Sequence, residues 1–260
     1  MNRVAERFRL LKEKGQKALI TYIMGGDPDL AATAELIEIL AQNGVDLIEI
    51  GVPFSDPLAD GPVIQAAGQR SLANGCNLAK LLQAIKPAIQ KVDIPVVLMI
   101  YYNMIMQRSL PAFFAEISAA GCSGLIIPDL PPDEAEELIT LGNQYNVALN
   151  FLVAPTSSET RVIKAAESTT GFIYAVSLKG VTGARDSLAT DLPEFINRVK
   201  SKTDQPVAVG FGISKPEQAR KVVELADGVI VGSAIVKTIA EDRSYQKTIK
   251  LVKELKASIC

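Results

Sequence analysis

Short apolar runs rich in β-branched residues recur eight times along this chain of 260 residues, and amphipathic stretches separate them. The runs lie at 18–23, 47–51, 95–100, 124–128, 148–153, 172–177, 206–210 and 229–232. Nearly continuous apolar strands are typical of parallel sheets buried on both faces, and strands that alternate with helices form βαβ units. Eight such units predict an α/β fold, a (β/α)8 TIM barrel.

The alternation continues from one end of the chain to the other without a linker or a shift in composition. We therefore expect one TIM-barrel domain over residues 1–260, with extra helices, although this length also allows two smaller domains. An open doubly wound sheet is the competing architecture. It needs a topological switch point, which the sequence does not reveal.

Composition limits the chemistry because the chain contains no histidine. This excludes Ser/His/Asp and Cys/His triads and the HExxH zinc site, so carboxylates, Tyr, Lys or backbone dipoles must act instead. The three cysteines, Cys76, Cys122 and Cys260, are far apart and outside any CxxC spacing. They predict neither a disulfide framework nor a metal site.

Charge and hydropathy limit the possible partners. With 27 basic and 29 acidic residues interspersed, the chain lacks the basic surface that nucleic acid needs. No apolar run approaches the roughly 18 to 20 residues of a membrane helix. The charged amphipathic start also lacks the apolar region of a signal peptide, so we expect a cytoplasmic protein.

Three helices carry recognisable start signals. Asp27, Thr156 and Ser214 precede amphipathic stretches, and each is predicted to be an N-cap whose side-chain oxygen accepts a hydrogen bond from the first turn.

Glu49 is the strongest catalytic candidate, because it lies inside the apolar strand LIEIG. A buried carboxylate costs several kcal/mol unless it is paired, and the neighbouring strand runs offer no basic partner. We therefore favour an acid/base role over a paired core glutamate; burial would raise its pKa. The long loop that follows contains Asp56 and Asp60. Either alone is more typical of a turn, but their position after Glu49 favours function.

Glycine turns follow the last three predicted strands, in the segments 180–183, 210–214 and 232–234. The last two lead into helix N-termini, where free N–H groups and the helix dipole favour a phosphate over a simple tight turn. Lys179 and Arg185, near the first turn, are expected to be solvated. For Tyr174 and Asp129, core packing and helix capping respectively are the simpler interpretations.

Taken together, the segments GDPD, IEIGVPFSDPLADGPVIQ, IIPDLP, KGVTGAR, VGFGIS and VGSAIV resemble the tryptophan synthase α-subunit family, in order from Thr21 to Ser233. The resemblance implies a TIM barrel that cleaves indole-3-glycerol phosphate to indole and glyceraldehyde 3-phosphate. It also implies that this chain needs no cofactor or metal. Glu49 would protonate indole C3 and remove the glycerol hydroxyl proton, while Asp60 would bind the indole N–H and stabilise positive charge on the ring.

Further roles follow from the same resemblance. The positions that would contact the substrate are Tyr22, Met99, Ile126, Leu152, Tyr174 and Thr182. Those of the phosphate turns are Gly183, Phe211, Gly212, Gly232 and Ser233. Asp56 and Asp129 match positions that contact or signal to the partner. That partner would be a pyridoxal-phosphate β subunit in an α2β2 tetramer, to which indole passes through a channel.

One departure from the family pattern is Leu178 followed by Lys179, where some members carry an arginine before GVTG. Loop closure or phosphate screening would then differ in detail. Two alternatives to the α-subunit role stay open at this point. They are a stand-alone lyase that releases indole freely, and a catalytically silent barrel that activates a partner.

Overall fold

The computed structural model describes residues 2–176, 191–210 and 212–260, and this part contains nine parallel strands. The strands are β1 (Ala18–Met24), β2 (Leu47–Gly51), β3 (Val96–Met99), β4 (Gly124–Ile126), β5 (Ala148–Asn150), β6 (Leu152–Val153), β7 (Ile173–Val176), β8 (Val207–Gly210) and β9 (Gly228–Val231). Every predicted strand is therefore present. The run at 148–153 forms two short strands instead of one.

Helices follow or separate the strands, as the amphipathic stretches predict. The α-helices are α1 (Arg3–Glu13), α2 (Leu30–Gln42), α3 (Pro62–Ala73), α4 (Leu78–Ile89), α5 (Tyr102–Met106), α6 (Leu110–Ala119), α7 (Glu136–Tyr145), α8 (Glu159–Ser168), α9 (Leu192–Lys200), α10 (Pro216–Val223), α11 (Ser233–Glu241) and α12 (Gln246–Ile259). A 3-10 helix spans Pro132–Glu134. Within the described residues, no helix has the length and apolar character needed to cross a membrane.

The strands form a ring in the order β5-β4-β3-β2-β1-β9-β8-β7-β6. The two ends of this order meet because only Phe151 separates β5 from β6. The carbonyl oxygen of Phe151 accepts a hydrogen bond from the Tyr174 N–H at 2.9 Å. The predicted barrel is thus confirmed, and the open doubly wound sheet is excluded.

On the N-terminal side of Phe151, β5 and β7 lie next to each other without strand pairing. Side chains form the hydrogen bonds between them instead. Asn150 donates to the Leu125 carbonyl at 3.0 Å and accepts from the Phe172 N–H at 2.9 Å. The Thr170 hydroxyl accepts from the Leu149 N–H at 2.9 Å. These bonds satisfy backbone groups that a regular strand would otherwise pair, as burial requires.

Successive strand residues face opposite sides of the sheet, so each strand contributes to two cores. The outer core packs the strands against the helices and includes Leu19, Ile23, Ile48 and Ile50. The inner core fills the barrel. Its strand members are Ala18, Ile20, Leu47, Val97, Ile126, Ala148, Tyr174, Ala208 and Ile230.

Helix α1 closes the end of the barrel at which the strands begin. Its residues Val4, Phe8 and Leu11 join the inner core, and the Phe8 ring lies 5.5 Å from the Phe172 ring. The opposite end, where the strands finish, is the end at which barrel enzymes place their active sites.

The predicted N-caps at Asp27 and Thr156 are wrong. Helix α2 is capped by Asp29, which accepts from the Ala32 N–H at 2.8 Å, and α8 by Ser158, which accepts from the Arg161 N–H at 3.2 Å. Both actual caps lie two residues further along the chain.

Asp27 has a different role, because its buried carboxylate accepts two hydrogen bonds from Arg70, at 2.8 and 2.7 Å. This ion pair joins the loop after β1 to α3. The predicted cap at Ser214 is wrong as well. The Gln218 side chain accepts from the N–H groups of Ser214 and Lys215, at 2.9 and 3.1 Å.

Candidate functional site

Glu49 points into the barrel, because every second residue of a strand faces the same side of the sheet. Leu47, two residues earlier, lies in the inner core, whereas Ile48 and Ile50 lie in the outer core. In register, Glu49 is flanked by Tyr22 of β1 and Val97 of β3. Its side chain is completely buried, and within the described part of the chain neither carboxyl oxygen has a hydrogen-bond partner.

The surroundings of Glu49 favour its neutral form. Burial and, to a smaller extent, the negative charge of Asp60 together raise the pKa of Glu49 to about 8. A carboxyl group with this pKa holds its proton at neutral pH and can donate it to a bound molecule. Most buried polar groups have a hydrogen-bond partner, so these two unpaired oxygens are unusual, and they are available to hydrogen-bond a bound molecule.

The loop from Val52 to Gly61 carries Asp60 to the rim of the barrel. Its first residue, Val52, donates its N–H to the Met99 carbonyl at 2.8 Å, which anchors the loop to β3. A turn follows in which the Asp60 N–H bonds the Pro57 carbonyl at 3.1 Å. The Gln65 side chain then donates to the Asp60 carbonyl at 2.9 Å, so the first turn of α3 holds the end of the loop.

Asp60 is half-buried, and two opposing effects set its pKa. Burial is the larger effect and raises the pKa of Asp60, a hydrogen bond from the Tyr101 side chain lowers it, and the resulting pKa is about 6. At neutral pH, therefore, Asp60 is mainly ionised while Glu49 is mainly protonated. Two carboxyl groups with separated pKa values are typical of an acid/base site in which each has its own role.

Tyr101 belongs to the site, although the sequence did not single it out. It follows β3 directly, is buried, and hydrogen-bonds the Asp60 side chain. The available signal was its position, since a tyrosine just beyond an apolar strand lies at the end of the barrel where active sites form.

Two further tyrosines line the interior, Tyr22 on β1 and Tyr174 on β7. Burial, together with the nearby charges of Glu49 and Asp60, raises the pKa of both hydroxyl groups well above their ordinary range. The Tyr174 ring packs over Gly210 so closely that a Cβ there would lie 2.6 Å from its hydroxyl oxygen. Gly210 thus has a packing reason to be glycine.

The three apolar residues predicted to line the indole pocket lie on adjoining parts of the barrel. Ile126 is fully buried in the inner core, while Met99 and Leu152 are half-buried and pack against it. Met99 also packs on a second cluster, which contains Tyr22, Met24, Ala67 and Val236. It therefore connects the interior to the helices beside the loop of Asp60.

Two of the glycine turns predicted to bind a phosphate lie within the described residues. Gly212 is exposed, has a φ of 76°, and a Cβ on it would meet no atom of the described residues within 4 Å. Gly232 precedes α11, whose N-terminus has no side-chain cap, and Ser233 is exposed. A Cβ on Gly232 would lie 3.5 Å from Cβ of Tyr22, so this turn adjoins β1.

Several sequence-predicted positions lie outside the described residues. They are Thr182, Gly183 and Phe211 among the predicted site residues, and Leu178, Lys179 and Arg185 in the neighbouring loop. In the described part, no three His, Cys, Asp or Glu side chains form a group that could hold a metal ion.

The two predicted interface residues are both exposed. Asp129 accepts a hydrogen bond from the Tyr102 N–H at 2.8 Å, so the expectation that it caps the following helix is wrong. Asp56 lies two residues before Leu58, which is 85% exposed.

Comparison with known proteins gives one consistent result. The family model described as tryptophan synthase alpha chain matches residues 8–259. The tryptophan synthase alpha chain of Caldanaerobacter subterraneus is 46% identical over 259 residues, covering 100% of this chain and 98% of the relative. That of Microcystis aeruginosa is 48% identical over 260 residues, with the same coverage.

Solved structures agree. A tryptophan synthase structure from Mycobacterium tuberculosis superposes with a TM-score of 0.91 at 38% identity, covering 99% of this chain and 98% of that one. The tryptophan synthase alpha chain of Legionella pneumophila superposes with a TM-score of 0.90 at 33% identity, covering 100% and 97%.

Proposed function

This chain belongs to the tryptophan synthase alpha chain family, and on that premise we propose that it cleaves indole-3-glycerol phosphate to indole and glyceraldehyde 3-phosphate. The observation that carries the proposal is the carboxyl group of Glu49, which is buried inside the barrel without a partner for either oxygen. A structural glutamate would be paired, because an unpaired buried carboxyl group costs stability.

Glu49 performs two proton transfers in this proposal. With a pKa of about 8 it starts protonated and donates its proton to C3 of the indole ring. The resulting carboxylate then accepts the proton of the glycerol hydroxyl next to the bond that breaks. As the carbonyl of glyceraldehyde 3-phosphate forms, the electrons of the broken carbon–carbon bond return to the ring and regenerate indole.

Asp60 stabilises the intermediate between these transfers. Protonation at C3 places a positive charge on the ring, and an ionised carboxylate that accepts the indole N–H lowers the energy of this cation. The pKa of about 6 keeps Asp60 ionised under the conditions in which Glu49 is still protonated. The difference between the two pKa values therefore makes the sequence of steps possible.

The phosphate is assigned to the turns around Gly212, Gly232 and Ser233, together with Gly183 and Phe211. The first-turn amides of α11 have no side-chain cap and can donate to phosphate oxygens, which the helix dipole also favours. Because Tyr22 adjoins both Gly232 and Glu49, one molecule can span the turn and the carboxyl group. Tyr22, Met99, Ile126, Leu152, Tyr174 and Thr182 are assigned to the rest of the substrate.

General acid/base catalysis by Glu49 is insufficient alone. It contributes about 10² to 10⁴ in rate, whereas enzymes reach roughly 10⁶ or more. Electrostatic stabilisation by Asp60 and positioning through the phosphate supply the remaining acceleration in this proposal.

The proposed assembly follows from the family. The alpha chain acts with a β subunit, and we propose an α2β2 tetramer in which the β subunit carries pyridoxal phosphate and this chain carries no cofactor. Exposed Asp56 and Asp129, with Leu58 beside Asp56, are the proposed contact surface. The single domain over 1–260 and a cytoplasmic location belong to the same proposal.

The test is indole formation from indole-3-glycerol phosphate by the purified chain, measured alone and with excess β subunit. We expect measurable cleavage that increases when the β subunit is added. Equal rates with and without the partner would favour a stand-alone lyase. The absence of indole even with the partner would overturn the proposal and favour a silent partner-activating barrel.

A further inference from the structure

Tyr101 contacts the loop from Val52 to Gly61 at three separate points. Its ring stacks on Phe54, with centroids 5.0 Å apart and planes 29° from parallel. Its hydroxyl oxygen accepts the N–H of Ala59 at 3.0 Å. The same hydroxyl group hydrogen-bonds the side chain of Asp60. The loop is thus held near both of its ends by one buried side chain that follows β3.

The direction of the last bond follows from the valence of the hydroxyl group. A phenol has one proton to donate and accepts through its oxygen lone pairs. Since the oxygen accepts from Ala59, the proton is available to Asp60, whose ionised carboxylate can only accept. Tyr101 therefore donates to Asp60, and a hydrogen bond to an ionised group is stronger than one between neutral groups.

We propose that Tyr101 is a positioning residue for Asp60: it fixes the loop from Val52 to Gly61 against the barrel and so holds the Asp60 carboxyl group in place beside Glu49. This role deepens the proposed reaction and rests on it for its kinetic consequences. Tyr101 acts through Asp60 and is assigned no contact with the reacting atoms.

The electrostatic surroundings explain why such a residue is needed. Among the described residues, the titratable groups that act on Asp60 and Tyr101 are Glu49 on β2, Tyr22 on β1, Tyr174 on β7 and Asp129 after β4. All are acidic, so none of them stabilises a negative charge on Asp60 by Coulomb attraction. Burial also raises the pKa of Asp60, and the hydrogen bond from Tyr101 is the effect that lowers it.

The variant Tyr101→Phe tests this role because it removes the hydroxyl group and keeps the ring that stacks on Phe54. Ala59 is exposed, so water can replace the lost acceptor, and the fold should be retained. The control is Tyr145→Phe on α7, whose ring stacks on Phe114 at 6.2 Å, away from the described site. Thermal unfolding of both variants checks that they remain folded.

The decisive measurement is the pKa of Asp60, followed by carboxyl-carbon NMR in the full chain. We expect a rise of about one unit in Tyr101→Phe, from loss of the hydrogen bond to the charged form, and none in Tyr145→Phe. In the pH profile of kcat, the acid limb should move upward by the same amount and the alkaline limb should stay in place. If Tyr101 had only a structural role, Tyr101→Phe would lower activity without moving the acid limb of the profile alone.

Two outcomes separate this inference from the proposed function. An unchanged Asp60 pKa in folded Tyr101→Phe would overturn the positioning role, whatever the activity. If the wild-type chain formed no indole, the proposed function would fail, but a raised Asp60 pKa in Tyr101→Phe would still support the role of Tyr101 toward Asp60.

Discussion

The hydroxyl oxygen of Tyr22 occupies the space beside Gly51 that a Cβ would need, so that a side chain at position 51 would overlap it. The two residues are on neighbouring strands, with Tyr22 in register with Glu49. Glycine at position 51 therefore gives the phenol ring the space that places it beside the buried carboxyl group. This contact depends on strand pairing, because 29 positions separate the two residues in the chain.

Replacing Gly51 by alanine should displace Tyr22. The added methyl group would also lie 2.6 and 2.9 Å from two ring carbons, and overpacking of this kind costs about 1 to 3 kcal/mol. We expect a lower thermal midpoint and a lower kcat/KM for indole formation. Gly61→Ala is the control, because its methyl group would meet no atom within 4 Å. Equal effects of the two substitutions would contradict the packing argument.

Glu49→Gln should abolish cleavage while preserving substrate binding. The amide is nearly isosteric with the protonated acid but cannot transfer the proton, so indole release should fall by about 10² to 10⁴. The dissociation constant of glycerol phosphate should be unchanged. Glu254→Gln on α12, outside the barrel, is the matched control. Near-normal turnover in Glu49→Gln would reject the acid/base assignment.

The pH profile of kcat should be bell-shaped. Activity requires ionised Asp60, with a pKa of about 6, and protonated Glu49, with a pKa of about 8. It should therefore rise as pH increases through the lower value and fall as pH increases through the higher one. Steady-state measurements across this range test the assignment. An activity that keeps rising through the upper value would show that Glu49 starts as a base.

Glu49 should also make stability depend on pH. Its folded pKa of about 8 lies above the ordinary value of 4.5, so between these values the folded state binds more protons than the unfolded state. The free energy of unfolding should accordingly decrease as pH rises through this window. Glu49→Gln should be more stable than wild type at the alkaline end, by an amount on the order of a few kcal/mol.

Urea unfolding at several pH values measures this difference. The advantage of Glu49→Gln should vanish below the ordinary carboxyl pKa, where wild-type Glu49 is protonated in both states. A constant difference between the two proteins across the whole range would contradict the raised pKa.

Gly212→Asp should weaken phosphate binding through its charge. Gly212→Asn is the matched control, since it has nearly the same size and asparagine tolerates the left-handed backbone that a φ of 76° requires. We expect glycerol phosphate to bind more weakly to Gly212→Asp than to Gly212→Asn, in a titration followed by calorimetry. Equal affinities would show that the phosphate does not bind at this turn.

Local patterns predicted the barrel and its central acid, but they were less successful with caps and loop contacts. Asp27 and Asp29 are equally good cap residues, and only the path of the chain after β1 selects Asp29. Tyr101 was missed because a tyrosine after an apolar strand has the same pattern whether it packs or positions a neighbour. Its proposed role depends on Asp60, 41 residues earlier in the chain.

The sequence by itself determined the strands and their alternation with helices, because side-chain periodicity is a local property of the backbone. Tertiary structure alone decided which groups surround that carboxyl. The energy of a buried charge depends on every dipole and charge within a few ångströms, and here these come from different strands of the closed barrel. Barrel closure therefore separates the pKa values of Glu49 and Asp60, and no segment of the chain could do so alone.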